Sequence, residues 1–159
     1  MSQTIRFIVL NLGVWIFWFY FIGYLASRIP DKFLEKDFIF TKLFSFETDA
    51  SWFRKILKID KWKDNMPELG GFFGDGFEKR SVAYGEINQL KQFILETRRA
   101  EIAHWFMIGG WILTTTFNPL WAVIFNIIFA HAVNFPCLII QRFNRARLIN
   151  VLNKKLGSS

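Results

Sequence analysis

The stretch from Glu96 to Trp105, with the sequence ETRRAEIAHW, holds the densest group of side chains able to do chemistry. It carries two acids, two arginines and a histidine where the chain enters a long apolar region, and ionisable groups beside lipid are costly unless they are paired or used. Glu101 and His104 are three residues apart on one helical face, so the carboxylate can orient the imidazole as a general base. The alternative is an interfacial anchor, in which the acids and arginines pair and His104 lies at headgroup depth.

The elements that position this stretch follow from the apolar region between residues 102 and 140, which is too long for a single membrane span. A turn at Asn118-Pro119 divides it into two arms, so the sequence predicts a helical hairpin with spans at about 102–117 and 120–140.

Counting along the two arms predicts a polar pocket inside the hairpin. His104 and His131 each lie roughly 20 Å from the turn, so they are expected to share a layer with Glu101 and Asn134. Glu96 comes level with Arg142 by the same count, so this pair is expected to close the mouth of the pocket or to bind an anion there.

A further apolar run at about 5–26 is long enough to cross the hydrocarbon core. Bulky Tyr24 and Leu25 stand where a signal peptidase needs small residues, so we expect this span to be retained. The chain is therefore predicted to be an all-α integral membrane protein, a single domain over 1–159, with three transmembrane helices.

The orientation follows from the distribution of lysine and arginine. Fourteen of the 20 lie between Arg28 and Arg99, five lie from Arg142 onward, and the turn at 118–119 has none. The positive-inside rule then places segment 27–101 and the basic tail at 141–159 in the cytoplasm, with the N-terminus outside a multi-pass protein of the cell membrane.

Segment 27–101 is expected to be cytoplasmic and interfacial, because its apolar residues come in short aromatic clusters. Within it, a helix after Asp49 would place apolar residues on one face and basic residues on the other, as in an interfacial amphipathic helix. The apolar residues are Trp52, Phe53, Ile56 and Leu57. An apolar face packed against the spans explains the same pattern.

The composition and the net charge of the chain limit the kinds of partner that it can bind. The chain is 52% apolar and 19% aromatic, with a formal charge of +7, which favours anionic lipid or a phosphorylated substrate over nucleic acid. A single cysteine, Cys137, excludes an internal disulfide, and the spans lack the further carboxylates of a di-iron bundle, so no metal and no bound cofactor are expected. Asp64 is an alternative base. The oligomeric state is left open.

Several ordered motifs resemble the glycosyl-4,4'-diaponeurosporenoate acyltransferase family over most of the chain beyond the first span. The motifs are RIPDKF at 28–33, KWK at 61–63, ETRRAEIAHW at 96–105, NFP at 134–136 and QRFNRARL at 141–148. His131 lies outside the family pattern, which favours His104 with Glu101 as the core of the site. Ala146 stands where the family usually has proline.

The resemblance implies transfer of a fatty acyl group from an acyl thioester, such as acyl-CoA, to a sugar hydroxyl of a glycosylated carotenoid or similar glycolipid. It implies His104 as the base, Glu101 as its partner, and an arginine or asparagine group for phosphates and the oxyanion. These candidates are Arg98, Arg99, Asn134, Arg142, Asn144, Arg145 and Arg147. The competing interpretation is a non-enzymatic adaptor that presents lipid to other enzymes of such a pathway.

Overall fold

The regular structure is helical throughout the part of the chain that the computed structural model describes, residues 3–66 and 87–157. The helices are α1 (Gln3–Ser27), α2 (Asp31–Leu34), α3 (Ser51–Lys55), α4 (Ile87–Ile108), α5 (Trp111–Thr114) and α6 (Leu120–Gly157), with three short 3₁₀ turns between Ser45 and Asn65. The all-α prediction is confirmed for these residues.

Two of these helices are long and apolar enough to cross a membrane, namely Ile5–Ser27 of α1 and the whole of α6. At a rise of 1.5 Å per residue, the 38 residues of α6 extend for about 57 Å. Its central part carries Pro136, which cannot donate a helical hydrogen bond. Most apolar side chains of α1 are exposed, which suits a helix whose surroundings are hydrocarbon.

The hairpin is formed by α4 and α6, but its first arm is not one continuous helix. The predicted span at 102–117 is divided between the last turns of α4 and the short α5, with Gly109 and Gly110 between them. A Cβ at Gly110 would lie 2.5 Å from Cδ1 of Trp18, so glycine is required where α1 approaches this break. A third membrane span therefore stays a prediction.

Helix α1 packs antiparallel to α4, because Ile22 and Ala26 near its end contact Met107 and Ala103 of α4. Trp18, one turn earlier, donates from its ring nitrogen to the carbonyl of Phe106 at 3.1 Å. The end of α1 is thus level with the middle of α4, and its start is level with the hairpin turn.

An asparagine network joins α1 to the hairpin near that turn. Asn11 Oδ1 accepts from Asn118 Nδ2 at 2.8 Å and from Asn126 Nδ2 at 3.0 Å. The Trp15 ring nitrogen donates to Asn126 Oδ1 at 2.7 Å. Polar groups within apolar helices need such partners, so the network fixes the position of α1.

The segment after α2 packs on the second half of α6. Phe53 of α3 is 1% exposed and packs edge-on against the Phe143 ring, with the two ring centres 5.8 Å apart. Most of the apolar face predicted for this helix is therefore packed inside the protein, although Ile56 is exposed. Asp49 precedes the helix, and hydrogen bonds from the Ser51 hydroxyl and backbone hold the pKa of this carboxyl below its usual range.

Candidate functional site

The first feature of the site is a hydrogen-bonded pair between the two hairpin helices. His104 of α4 and Asn134 of α6 meet with Nδ1 and Oδ1 2.9 Å apart. Asn134 is buried, whereas His104 is half-buried. A half-buried imidazole that is held by a hydrogen bond through one of its nitrogens is suited to proton transfer.

The amide of Asn134 fixes the tautomer of this imidazole. Asn134 Nδ2 donates to the carbonyl of Ala130 at 2.8 Å, which turns Oδ1 toward His104. An amide oxygen only accepts, so the proton between the two side chains belongs to Nδ1 of the imidazole. His104 Nε2 is then the nitrogen with the free lone pair, and it has no partner among the described residues.

Among the described residues Glu101 forms no hydrogen bond or ion pair with His104, and the predicted Glu101–His104 pair is wrong. Both oxygens of this fully buried carboxylate accept from arginines of α6, at 2.6 Å from Arg142 Nη1 and 2.5 Å from Arg145 Nη1. A carboxylate with two charge-assisted hydrogen bonds satisfies two buried cations at once. Counting residues from the turn predicts how far along the helix Glu101 lies, but not which partner it binds. At that level the two arginines are stronger donors than the imidazole.

Arg142 is shared between two carboxylates. Its Nε and Nη2 donate to Glu47 at 2.9 and 2.5 Å, which completes a bidentate pair opposite Glu101. Glu47 and Arg142 are both buried. The cluster of Glu47, Glu101, Arg142 and Arg145 therefore balances two positive and two negative charges inside the protein.

The same arginines bind the backbone of the segment before Glu47. Arg142 donates to the carbonyls of Phe40 at 3.2 Å and Lys42 at 2.8 Å. Arg145 donates to the carbonyl of Thr41 between them. Three consecutive carbonyls are thus held by α6, and the guanidinium groups predicted to bind phosphate are used inside the protein instead.

Arg98 and Arg99 are likewise used to hold the chain that leaves α1. Arg98 pairs with Asp37 at 2.8 Å, and Arg99 pairs with Asp31 at 2.7 Å. Arg99 also donates to the carbonyls of Ala26 and Ile29, at 3.1 and 2.5 Å. Their geometry is that of structural ion pairs.

Arg147 differs from the other predicted anion-binding arginines. It is exposed, lies 5.4 Å from the centre of the Phe143 ring and forms no salt bridge with any described residue. Asn144, one turn before Arg147 on α6, is half-buried. Arg147 is thus the member of the predicted set whose guanidinium is available to a ligand.

The remaining candidates lie apart from the imidazole. His131 Nδ1 bonds the carbonyl of Ile127 on its own helix at 2.7 Å, so the two histidines do not form one pair. Glu96 accepts from Arg99 at 3.1 Å, and the predicted Glu96–Arg142 pair is wrong because Arg142 faces Glu47 and Glu101. Asp64 is an exposed carboxylate paired with the adjacent lysine.

A groove of about 580 Å³ lies between α1 and α6 near the hairpin turn. Its walls are mainly apolar, with Phe7, Trp121 and Phe125 among them, and the asparagine network lines one side. Ligand sites for small molecules have volumes of this order. No cluster of three metal-ligating side chains occurs among the described residues.

Sequence reasoning missed Glu47 and the asparagine network. Glu47 is the one acid among residues 38–48, which include four phenylalanines. An isolated carboxylate among aromatic residues signals a buried partner. Asn11 interrupts a predicted span, so the need for a hydrogen-bond partner was visible there as well.

The fold and the site define a helical protein with two helices long and apolar enough to cross a membrane and a hydrogen-bonded histidine between α4 and α6. A family model for glycosyl-4,4'-diaponeurosporenoate acyltransferase matches residues 35–154, which include His104, Asn134 and the cluster of Glu47, Glu101, Arg142 and Arg145. Curated proteins of that name from Staphylococcus aureus strains USA300 and MRSA252 are 31% and 32% identical over 131 residues. These residues cover 82% of this chain and 79% of each relative, whereas no solved structure matches.

The chain belongs to the glycosyl-4,4'-diaponeurosporenoate acyltransferase family. It is therefore an acyltransferase, as the sequence motifs predict.

Proposed function

We propose that the protein transfers a fatty acyl group from an acyl thioester to a sugar hydroxyl of a glycosylated carotenoid or similar glycolipid, with His104 as the general base. The hydrogen bond from His104 Nδ1 to Asn134 carries this proposal, because it leaves Nε2 of a half-buried ring unprotonated. The relatives are glycosyl-4,4'-diaponeurosporenoate acyltransferases, which supplies the class of acceptor.

The reaction requires one proton transfer that an imidazole can make. The Nε2 lone pair of His104 removes the proton of the sugar hydroxyl while that oxygen attacks the thioester carbonyl carbon. The C–O bond forms, the C–S bond then breaks, and the imidazolium returns the proton to the leaving thiolate. General-base catalysis of this kind contributes about 10² to 10⁴ in rate.

Asn134 acts in this proposal as a positioning residue. It keeps the Nδ1 proton in place and becomes the hydrogen-bond acceptor of the imidazolium that forms during the reaction. Glu101 acts one step further away, because its pairs with Arg142 and Arg145 hold α4 and α6 in the register that lets His104 and Asn134 meet.

The two substrates reach the imidazole from different phases. The positive-inside rule puts α1's end and the tail after 141 in the cytoplasm, so acyl-CoA or another thioester arrives from water, and Arg147 is the exposed contact for its phosphates. The acceptor arrives through the bilayer. Its hydrocarbon part can lie along α6 and enter the groove beside Trp121 and Phe125.

Purified protein incubated with labelled acyl-CoA and glycosylated carotenoid tests the proposal. Labelled, acylated glycolipid should form without any other protein, and the product should be lost in His104→Ala. Full activity in a folded His104→Ala protein would exclude the imidazole as the base. Product formation only on addition of another enzyme would favour the adaptor.

A further inference from the structure

The loop from Phe38 to Phe46 presents apolar side chains outward while its backbone is held inward. Ile39 is 97% exposed, and the flanking rings of Phe38 and Phe40 stack on each other at 6.0 Å. Phe44 and Phe46, also exposed, form a second stack at 5.4 Å. An exposed apolar patch of this kind marks an interaction surface.

The backbone of this loop is held by two arginines of α6. The carbonyls of Phe40, Thr41 and Lys42 all accept hydrogen bonds from Arg142 or Arg145, and the side chain of Thr41 is fully buried. The backbone carbonyls and Thr41 thus face the protein, whereas the side chains of Phe38, Ile39 and Phe40 are exposed.

The position of the loop relates it to the end of α1. Arg99 of α4 bonds the carbonyls of Ala26 and Ile29 at the end of α1, and Glu101, two residues further along α4, receives the arginines that hold the loop. Two residues of helix rise about 3 Å. The loop is thus level, within about one helical turn, with the point where the apolar helix ends.

The charges around the loop favour an anionic surface. Asp31 and Asp37 are paired with Arg99 and Arg98. Of the other charged residues between 31 and 42, three are exposed lysines and one is an exposed acid. They are Lys32, Lys36, Lys42 and Glu35. Basic residues beside aromatic side chains are typical of a segment that lies in the headgroup region of an anionic leaflet.

We propose that the Phe38–Phe46 loop docks on anionic phospholipid, with Ile39 inserted below the headgroups of the same bilayer that α1 crosses. The relevance of this docking to catalysis rests on the proposed function. His104 lies three residues beyond Glu101 along α4, which is about 4.5 Å further into the bilayer. A loop fixed at the headgroups therefore sets the depth of the imidazole.

Spin-label depth measurement tests the docking independently of activity. In a Cys137→Ser background, a nitroxide is attached at Ile39→Cys, at Leu12→Cys on the exposed side of α1, and at Lys154→Cys in the last turn of α6. Each protein is placed in vesicles of phosphatidylglycerol and phosphatidylcholine. Collision with O₂ and with a water-soluble nickel chelate is then compared.

We expect the label at 39 to resemble the label at 12, with O₂ accessibility relative to nickel several-fold higher than at 154. A smaller ratio at 39 in vesicles of phosphatidylcholine alone would support the role of the lysines. A label at 39 as open to nickel as the label at 154 would overturn the proposal and indicate a water-facing surface for a protein partner. That outcome would leave the proposed role of His104 open, because the acyl-transfer assay tests it separately.

Discussion

The amide oxygen of Asn134 lies 2.9 Å from Nδ1 of His104, and this contact joins α6 to α4 at the centre of the candidate site. Because the amide nitrogen is bonded to the carbonyl of Ala130, the contact also selects which imidazole nitrogen is free. A single side chain thereby determines both the orientation of the His104 imidazole and which of its nitrogens carries the proton.

Replacing His104 with alanine should lower acyl transfer by about 10² to 10⁴, since the rate then lacks its general base. His131→Ala is the matched control, because His131 is on the partner helix and its Nδ1 bonds the backbone of that helix. We expect the control to keep near-normal rates in the labelled acyl-transfer assay. Equal losses in both variants would indicate that two histidines act together.

Asn134→Asp should keep activity, whereas Asn134→Leu should lose most of it. A carboxylate still accepts the Nδ1 proton, but leucine offers no acceptor. Nitrogen NMR of labelled histidine measures the tautomer directly, and the Nδ1-protonated form of His104 should decrease only in Asn134→Leu. An unchanged tautomer in that variant would contradict the positioning role.

Glu101→Ala should destabilise the protein by about 3–5 kcal/mol, because Arg142 and Arg145 would be left buried without their shared carboxylate. Glu96→Ala, on the same helix but partly exposed, should cost less than about 1 kcal/mol. Thermal unfolding in detergent measures both. A large loss of activity in Glu101→Ala without a change in unfolding would instead indicate a catalytic carboxylate.

Gly110→Ala should destabilise the packing of α1 by about 1–3 kcal/mol, since the added methyl group would overlap the rings of Trp15 and Trp18. Gly13→Ala is the control, because a Cβ there meets nothing within 4 Å. The unfolding midpoint should fall for the first variant and stay constant or rise for the second. Equal midpoints would show that the two rings move aside freely.

Arg147→Ala should raise the KM for acyl-CoA about fivefold, the effect of roughly 1 kcal/mol from an exposed charge pair. The KM for a short acyl thioester without phosphates should not change. Lys154→Ala, a basic exposed residue further along α6, serves as control. A similar rise with both donors would mean that Arg147 acts on the fold rather than on phosphate.

The apolar runs determine the hairpin and α1, so the helices and the approach of His104 to Asn134 could be predicted by counting residues from the turn. The partner of Glu101 could not be predicted in this way. Counting gives depth along a helix but not the direction that a side chain faces, and Arg142 and Arg145 face α4 together because they are three residues apart. Glu47 comes from an irregular segment, where no periodicity indicates its position.

The broken helix at Gly109 has a similar explanation. The residues from 102 to 117 are apolar enough for a span, so composition alone predicts a continuous arm. The close approach of Trp18 to Gly110 requires a backbone without a side chain there, and this is a property of the packing between α1 and the hairpin.

Pro136 gives α6 a defined place to bend. Its missing N–H leaves the carbonyl of Ala132, four residues earlier, without its helical hydrogen bond, so the helix is most easily bent over residues 132–136, the turn that carries Asn134. In a thinner or thicker bilayer, the part of α6 before this bend can tilt to match the hydrocarbon, while the part after it stays attached through Arg142 and Arg145 to the carbonyls of Thr41 and Lys42. The enzyme is thereby suited to membranes whose thickness changes with growth conditions.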